Sequence, residues 1–186
     1  DAIRPESKPA IDSLHRLDVR TLLLTGDNPA SGAYVQQAVG LDEVMAEQTP
    51  ESKSKVISDL RRSGKVVAMV GDGINDAPAL AAADISFAMS SGTDVAIHTS
   101  GITLMRSDPR LVADTIDISR LTYRKIWQNL FWAFIYNLVG IPLAAFGMLN
   151  PVIAGAAMAL SSVSVVSNAL TLRRWKPASR EEPHVS

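Results

Sequence analysis

Short apolar runs alternate with helix-like patterns through the first part of the chain. The apolar runs predict strands, which lie at residues 21–24, 43–45, 66–70, 85–88 and 102–104. Apolar positions recur at helical spacing over residues 7–17, 30–39, 52–62, 77–82 and 94–98. Strands that alternate with helices favour a parallel sheet covered by helices on both faces. The pattern therefore predicts an α/β domain over residues 1–118.

The pattern changes near residue 126, and no Asp, Glu, Lys, Arg or His occurs between residues 126 and 172. This stretch is long enough for two membrane helices of about 20 residues each. Asn150 and Pro151 divide it into segments 130–149 and 152–172, which predicts a transmembrane hairpin. A buried helix pair in a soluble protein is the alternative. With the transmembrane hairpin, residues 119–176 form the membrane-linked part, and residues 177–186 are expected to be a disordered tail.

Basic residues flank both ends of the predicted hairpin, namely Arg120, Arg124, Lys125, Arg173, Arg174 and Lys176. Because basic flanks favour the cytoplasmic side, the α/β domain is expected there and Asn150-Pro151 on the opposite side. A helical pattern that begins at Pro109 is expected to run into the first membrane helix. The formal net charge of −1 gives no basic signature for nucleic acid. The chain has no cysteine, which fits a reducing compartment.

Three polar segments follow predicted strands or open a predicted helix. They are Thr25-Gly26-Asp27, Lys53 in Thr49-Pro50-Glu51-Ser52-Lys53, and Gly71-Asp72-Gly73-Ile74-Asn75-Asp76. Parallel sheets bind ligands at the carboxyl ends of their strands. The Thr25 hydroxyl and the Lys53 ammonium suit a phosphoryl group, and the carboxylates of Asp72 and Asp76 suit Mg²⁺. A solvated acidic loop and a surface lysine are the alternatives, but together the segments predict phosphoryl transfer.

The strings TGDN, TPESK and MVGDGINDAPAL resemble the phosphorylation domain of P-type cation-transporting ATPases. The resemblance runs over residues 1–172 and implies a haloacid dehalogenase-like, Rossmann-like fold. It implies that Thr25 contacts the phosphoryl group, that Lys53 neutralises it and that Asp72 coordinates Mg²⁺. The other residues that it assigns to the acidic site or to the nucleotide-facing rim are Gly26, Asp27, Gly73, Asn75 and Asp76.

Such pumps form an aspartyl-phosphate within an Asp-Lys-Thr-Gly-Thr motif, which the printed sequence does not contain. The covalent intermediate divides one difficult step into two easier ones. We therefore expect the C-terminal part of a longer pump, whose nucleotide-binding and actuator domains and other membrane helices complete the machinery for ATP. By itself the chain should be inactive. A phosphatase of the same fold and a non-catalytic, truncated membrane module are the alternatives.

Polar and thioether side chains lie within the uncharged stretch. Tyr136 and Asn137 are near the middle of its first predicted helix, whereas Met158, Ser161 and Ser162 share one face of the second. Polar residues at membrane depth often line an ion pathway, although small ones also allow close helix packing. The pairing resembles the signature of copper(I)-transporting pumps of the heavy-metal subclass. A thioether ligand suits Cu(I).

The resemblance to copper pumps implies export of Cu(I) from the cytoplasm, a bilayer around the hairpin and a copper chaperone as a partner. Ag(I) would fit the same ligands. These pumps also carry a Cys-Pro-Cys element on an earlier membrane helix, so the strongest soft ligands would come from the rest of the pump. A pump for another heavy metal such as Zn(II) is the alternative.

Overall fold

The computed structural model describes residues 3–147 and 150–177. The chain divides into two compact units, Asp1–Asp114 and Thr115–Ser186. The strands are β1 Leu22–Leu24, β2 Glu43–Met45, β3 Ala68–Gly71, β4 Ile85–Met89 and β5 Ile102–Leu104. The helices are α1 Ser7–Arg16, α2 Pro29–Val39, α3 Pro50–Arg62, α4 Ala77–Ala82, α5 Asp94–Thr99, α6 Arg110–Ala145 and α7 Pro151–Leu170, with 3-10 turns at Ile74–Asp76 and Thr171–Arg174.

Every strand and helix predicted for the first unit is present, with ends that differ by a few residues. β3, for example, begins at Ala68 rather than at residue 66. The backbone N–H of Val67 donates to Oδ2 of Asp84 at 2.9 Å, and the Val67 carbonyl accepts from the Asp84 N–H at 3.0 Å. These bonds hold Val67 in a loop connection instead of a strand ladder. The bond from the Val67 N–H to the carboxylate also lowers the pKa of Asp84, helped by the nearby Arg61 guanidinium.

The strands are all parallel, as predicted, but they form two sheets where one was expected. β1 pairs with β2, and β4 lies between β3 and β5. In the register, Leu23 is opposite Val44, and Val70 is opposite Phe87. No ladder joins β1 to β3 in the part of the chain that the structure describes. The predicted α/β class with parallel strands is therefore confirmed, although strand alternation does not show which strand edges meet.

The core of the first unit lies around β4. Phe87 and Ala88 in this strand are almost fully buried, and so are Leu80 of α4 and Ala96 of α5. Met69 of β3 packs against the cluster of Leu80, Ala88 and Ala96. A strand buried on both faces is apolar throughout, which explains why β4 reads as a nearly continuous apolar run.

Local signals set the beginnings of α2 and α3. Asn28 and Thr49 are the N-caps, and their side chains accept hydrogen bonds from the backbone N–H groups of Ser31 and Ser52. Proline is the first residue of both helices, where its missing N–H costs nothing. α2 ends at Val39 and is capped by Gly40, whose φ of 81° is the left-handed conformation that glycine adopts freely.

A compact polar cluster ties α1 to the start of β1. Oδ2 of Asp42 accepts from the backbone N–H of Thr21 at 2.7 Å and from the Thr21 hydroxyl at 2.9 Å. His15 Nε2 lies 3.0 Å from the same carboxylate oxygen. The bonds from the Thr21 backbone and hydroxyl, with His15, lower the pKa of Asp42 from 3.8 to about 2. The ionised carboxylate therefore stabilises the entry to the first sheet.

In the second unit, hydrogen bonds connect α6 with α7 and the residues after it. Trp175 Nε1 donates to Oδ2 of Asp117 at 2.7 Å. Lys125 Nζ donates to Oδ1 of Asn168 at 2.7 Å. Because later residues of α6 pair with earlier residues of α7, the two segments run antiparallel, as a hairpin requires. The helical pattern from Pro109 does continue, since α6 is a single helix of 36 residues.

By length and composition, one helical segment among the described residues could cross a membrane, Gly155–Arg174. It overlaps the predicted span 152–172. The other predicted span, 130–149, coincides largely with the last part of α6, and its crossing of a bilayer stays a prediction. Residues 148 and 149 and most of the predicted tail, 178–186, lie outside the described residues.

Candidate functional site

The loop after β1 holds the Thr25 hydroxyl in a short local network. Thr25 Oγ1 donates to Oδ2 of Asp27 at 3.0 Å and accepts from the Asp27 backbone N–H at 3.1 Å. The Thr25 backbone N–H donates to the Met45 carbonyl at 3.1 Å. Thr25 is half-buried, whereas Gly26 and Asp27 are exposed. The hydroxyl is thus fixed at the carboxyl end of β1, next to an exposed carboxylate.

Lys53 forms an ion pair with the acidic turn that follows β3. Its Nζ lies 2.8 Å from Oδ1 of Asp76, and the two side chains are only 15% and 16% exposed. The other oxygen of Asp76, Oδ2, accepts from the Gly73 backbone N–H at 3.4 Å. Because charges are costly to bury singly, each side chain supplies the counter-charge that the other needs in this partly enclosed position. The first turn of α3 therefore presents a cation toward the turn after β3.

Close backbone contacts shape the acidic turn. A β-carbon added to Gly92 would lie 2.9 Å from the Met89 carbonyl oxygen and 3.0 Å from that of Asp72. The same Asp72 carbonyl accepts from the Thr93 backbone N–H at 2.8 Å. Asp72 and Asn75 are exposed, in contrast to Asp76. The turn thus holds one carboxylate outward at the end of β3 and one inward against Lys53.

The predicted residues form two local pairs, Thr25 with Asp27 and Lys53 with Asp76. Among the described contacts, no hydrogen bond joins one pair directly to the other. Gln48, which the sequence analysis did not single out, connects the two segments. Its backbone N–H donates to the Thr25 carbonyl at 2.9 Å, and its Oε1 accepts from the Ser52 hydroxyl at 2.7 Å. The sequence signal that could have identified Gln48 is its position directly before Thr49, the N-cap of α3.

The acidic turn suits Mg²⁺ by the chemistry of its donors. In the described residues there is no group of three or more His, Cys, Asp or Glu side chains placed to hold a metal ion. Mg²⁺ does not require one, because it commonly takes one or two carboxylates and completes its shell with water and phosphate oxygens. The exposed Asp72 offers such a carboxylate, whereas both oxygens of Asp76 already face nitrogen donors.

The residues predicted to bind the transported cation lie on both helices of the second unit. Asn137 donates to the Ala133 carbonyl of its own helix at 2.8 Å, and Ser162 donates to the Met158 carbonyl at 3.2 Å. Met158 is 73% exposed. The described contacts do not bring Tyr136 or Asn137 against Met158, Ser161 or Ser162. Their joint role in cation binding stays a prediction.

Known proteins resemble the chain in both sequence and structure. A family model described as haloacid dehalogenase-like hydrolase matches residues 1–84. A copper-exporting P-type ATPase of Staphylococcus haemolyticus is 53% identical over 95% of this chain and 22% of its own length. A probable copper-importing P-type ATPase A of Enterococcus hirae is 51% identical over 94% of this chain and 24% of its own.

A solved structure shares the fold as well. The crystal structure of a zinc-transporting PIB-type ATPase in the E2.Pi state matches with a TM-score of 0.83 and 38% identity, and it covers 92% of this chain and 28% of that chain. The chain thus spans about a quarter of the length of the pumps that it resembles. Sequence and fold together place the chain in the heavy-metal P-type ATPase family, with a first unit of haloacid dehalogenase-like fold.

Proposed function

We propose that this chain is part of an ATP-driven pump that forms an aspartyl-phosphate and exports Cu(I), with Ag(I) as a second cargo, across a membrane. The chain would supply the phosphate- and Mg²⁺-binding part and two membrane helices. The Lys53–Asp76 ion pair carries the chemical part of this proposal, because it places a held cation beside the carboxylate turn. Identities near 50% to copper pumps support the transport part.

Phosphoryl transfer depends mainly on placement and on neutralisation of charge, and the residues of this chain can provide both. The Thr25 hydroxyl would turn from Asp27 to donate to a phosphoryl oxygen, with Asp27 at the nucleotide-facing rim. Lys53 would neutralise a second oxygen while Asp76 holds its ammonium in place. Asp72, with Asp76 nearby in sequence, would hold Mg²⁺, which supplies charge neutralisation to the transferring phosphate. Gly26, Gly73 and Asn75 complete the two loops.

The remaining polypeptide would supply the nucleophilic aspartate together with the nucleotide-binding and actuator domains. A groove in the first unit supports this. It has a volume of about 880 Å³, and Asp27, Tyr34 and Val70 are among the residues that line it. Val70 belongs to β3, whose pairing partner in the described chain is β4. An extended segment of the same pump could enter this groove and pair with β3, which would place an aspartate beside the acidic turn.

Coupling and location follow from the same proposal. Phosphorylation would favour one domain arrangement over another, and transport requires that the cation bind the two arrangements with different affinities. The first unit would lie in the cytoplasm, where ATP and a copper chaperone are available, and Asn150-Pro151 on the opposite side of the bilayer. The basic residues at both ends of the helix pair support that orientation.

The choice of cation is tested with the complete pump in proteoliposomes. We expect Cu(I) and Ag(I) to stimulate ATP hydrolysis, because Met158 offers a soft ligand. Tyr136, Asn137, Ser161 and Ser162 would complete the site. Zn(II) is the comparison, since a zinc-transporting pump shares this fold. Stimulation by Zn(II) alone would contradict the copper assignment. Replacement of Met158 by Leu should weaken the response to Cu(I), with Met105→Leu in the first unit as the control.

A further inference from the structure

A polar network joins the two helices of the second unit at a position outside the predicted cation-binding residues. Asn168 of α7 is its centre. Its Oδ1 accepts from Lys125 Nζ at 2.7 Å, and its Nδ2 donates to Oδ1 of Asn129 at 2.8 Å and to Oε1 of Gln128 at 3.4 Å. A single carboxamide thus connects an ammonium group with two amide carbonyls on the other helix.

This network is continuous with a cavity that reaches one of the predicted cation-binding residues. The cavity has a volume of about 450 Å³ and is lined by Gln128, Asn129, Trp132, Tyr136, Ser164 and Asn168. On α6, Asn129, Trp132 and Tyr136 are separated by three and four residues, so they share one helix face. On α7, Ser161, Ser164 and Asn168 have the same spacing. The network therefore shares one face of α6 with Tyr136 and one face of α7 with Ser161, two of the predicted cation-binding residues. We call these two faces the stripe of Tyr136 and the stripe of Ser161.

Asparagine suits this position because it both accepts and donates hydrogen bonds. Leucine has a similar size but does neither, and aspartate would accept from Lys125 without donating to Asn129. In an apolar environment, polar groups that lose their partners are costly. Loss of the carboxamide would therefore let α6 and α7 turn relative to each other until Lys125 and Asn129 found other partners.

We infer that Asn168 is a positioning residue, which fixes the rotation of α7 against α6 so that Tyr136 faces the stripe of Ser161. Asn168 would not bind the cation itself, because its oxygen already accepts from Lys125 and its nitrogen already donates to Asn129. The inference rests on the proposed pump function. Replacement of residues that orient metal ligands without touching the metal typically lowers metal affinity by about 10- to 100-fold.

The test is a metal titration of the complete pump with Asn168→Leu, Asn168→Gln and the neighbouring control Ser167→Ala. We expect Asn168→Leu to raise the Cu(I) concentration for half-maximal ATPase activity about tenfold. The maximal rate, and phosphorylation by inorganic phosphate without the transported metal, should change less than about twofold, because the phosphate site lies in the first unit. Asn168→Gln, which keeps both hydrogen-bonding functions, should recover most of the metal affinity.

An unchanged half-maximal concentration in Asn168→Leu would overturn the inference. So would an equal loss of metal activation and of phosphorylation by inorganic phosphate, since this would indicate a purely structural role. If Asn168→Leu does not fold, Lys125→Met removes one bond of the network, and it should raise the same concentration by a smaller factor; no rise there also overturns the inference. Failure of the wild-type pump to respond to Cu(I) would instead contradict the proposed cargo, and the titrations would then use the metal that activates it.

Discussion

Gly71 faces the side chain of Asp76 so closely that a β-carbon added at residue 71 would lie 2.8 Å from Cβ of Asp76. No side chain fits in this space without a shift of the turn. The same Asp76 carboxylate holds Lys53. The glycine at the end of β3 is therefore needed for contact with the carboxylate, and its small size matters more here than its backbone freedom.

Replacement of Gly71 by Ala tests this contact. We expect Gly71→Ala to lower the free energy of unfolding by about 1–3 kcal/mol, as overpacking does in tight sites. Gly73→Ala is the matched control, because a β-carbon there would lie 3.6 Å from Asp76 Oδ2, an ordinary contact distance. Urea unfolding of both variants gives the comparison. Equal losses of stability would show that the close approach to Asp76 does not matter.

Lys53 should be required for both stability and phosphorylation. Lys53→Met leaves the Asp76 carboxylate without its cation, and loss of one partner of a buried pair costs about 3 kcal/mol. Loss of a charge-stabilising donor should also reduce the rate of phosphorylation of the complete pump by about 10²- to 10³-fold. The double variant Lys53→Met with Asp76→Asn separates the effects. It should regain much of the stability and none of the rate, and a recovered rate would contradict the role of Lys53.

The Thr25 hydroxyl is predicted to bind a phosphoryl oxygen. Thr25→Val keeps the shape of the side chain and removes the donor, so phosphorylation of the complete pump should slow by about 10²-fold. Thr25→Ser retains the hydroxyl and should keep most of the activity. Stopped-flow measurement of phosphoenzyme formation distinguishes the two variants. Similar rates for Val and Ser would assign Thr25 to packing alone.

Asp42 should make the stability of the fold depend on pH in the acid range. Its pKa falls from 3.8 to about 2 in the folded chain. Because the folded value is the lower one, the ionised carboxylate stabilises the fold above pH 3.8, and this contribution is lost as the pH falls through about 2. We expect Asp42→Asn to lower the urea midpoint at neutral pH and to flatten its fall in this interval. Asp12→Asn, in an exposed pair with Lys8, is the control and should change the midpoint little.

Local patterns were sufficient to predict the elements of the first unit. Asn28-Pro29 and Thr49-Pro50 are helix-start signals that act within one turn, and the observed caps lie at these residues. The apolar run before Gly71 likewise gave β3 to within a few residues. Such signals depend on neighbours in the sequence, so they survive without knowledge of the tertiary structure.

Contacts between distant segments were not predictable in the same way. The partner of Lys53 lies 23 residues away, and the partner of Lys125 lies 43 residues away. No residue near Lys53 or Lys125 in the sequence indicates which distant side chain it pairs with. The division into two sheets was missed for a similar reason, because each strand pattern describes one strand and does not identify the edge that remains open.

The ion pair of Lys53 with Asp76 also has a consequence for anion selectivity. An incoming anion has to compete with a carboxylate that is already in contact with the ammonium group. Chloride and other weakly interacting monovalent ions would compete poorly, whereas a phosphoryl group that carries multiple charges and arrives with Mg²⁺ would compete well. The phosphate-binding position at Lys53 would therefore stay available at the salt concentrations of a cell, since Asp76 already neutralises the Lys53 ammonium before phosphate arrives.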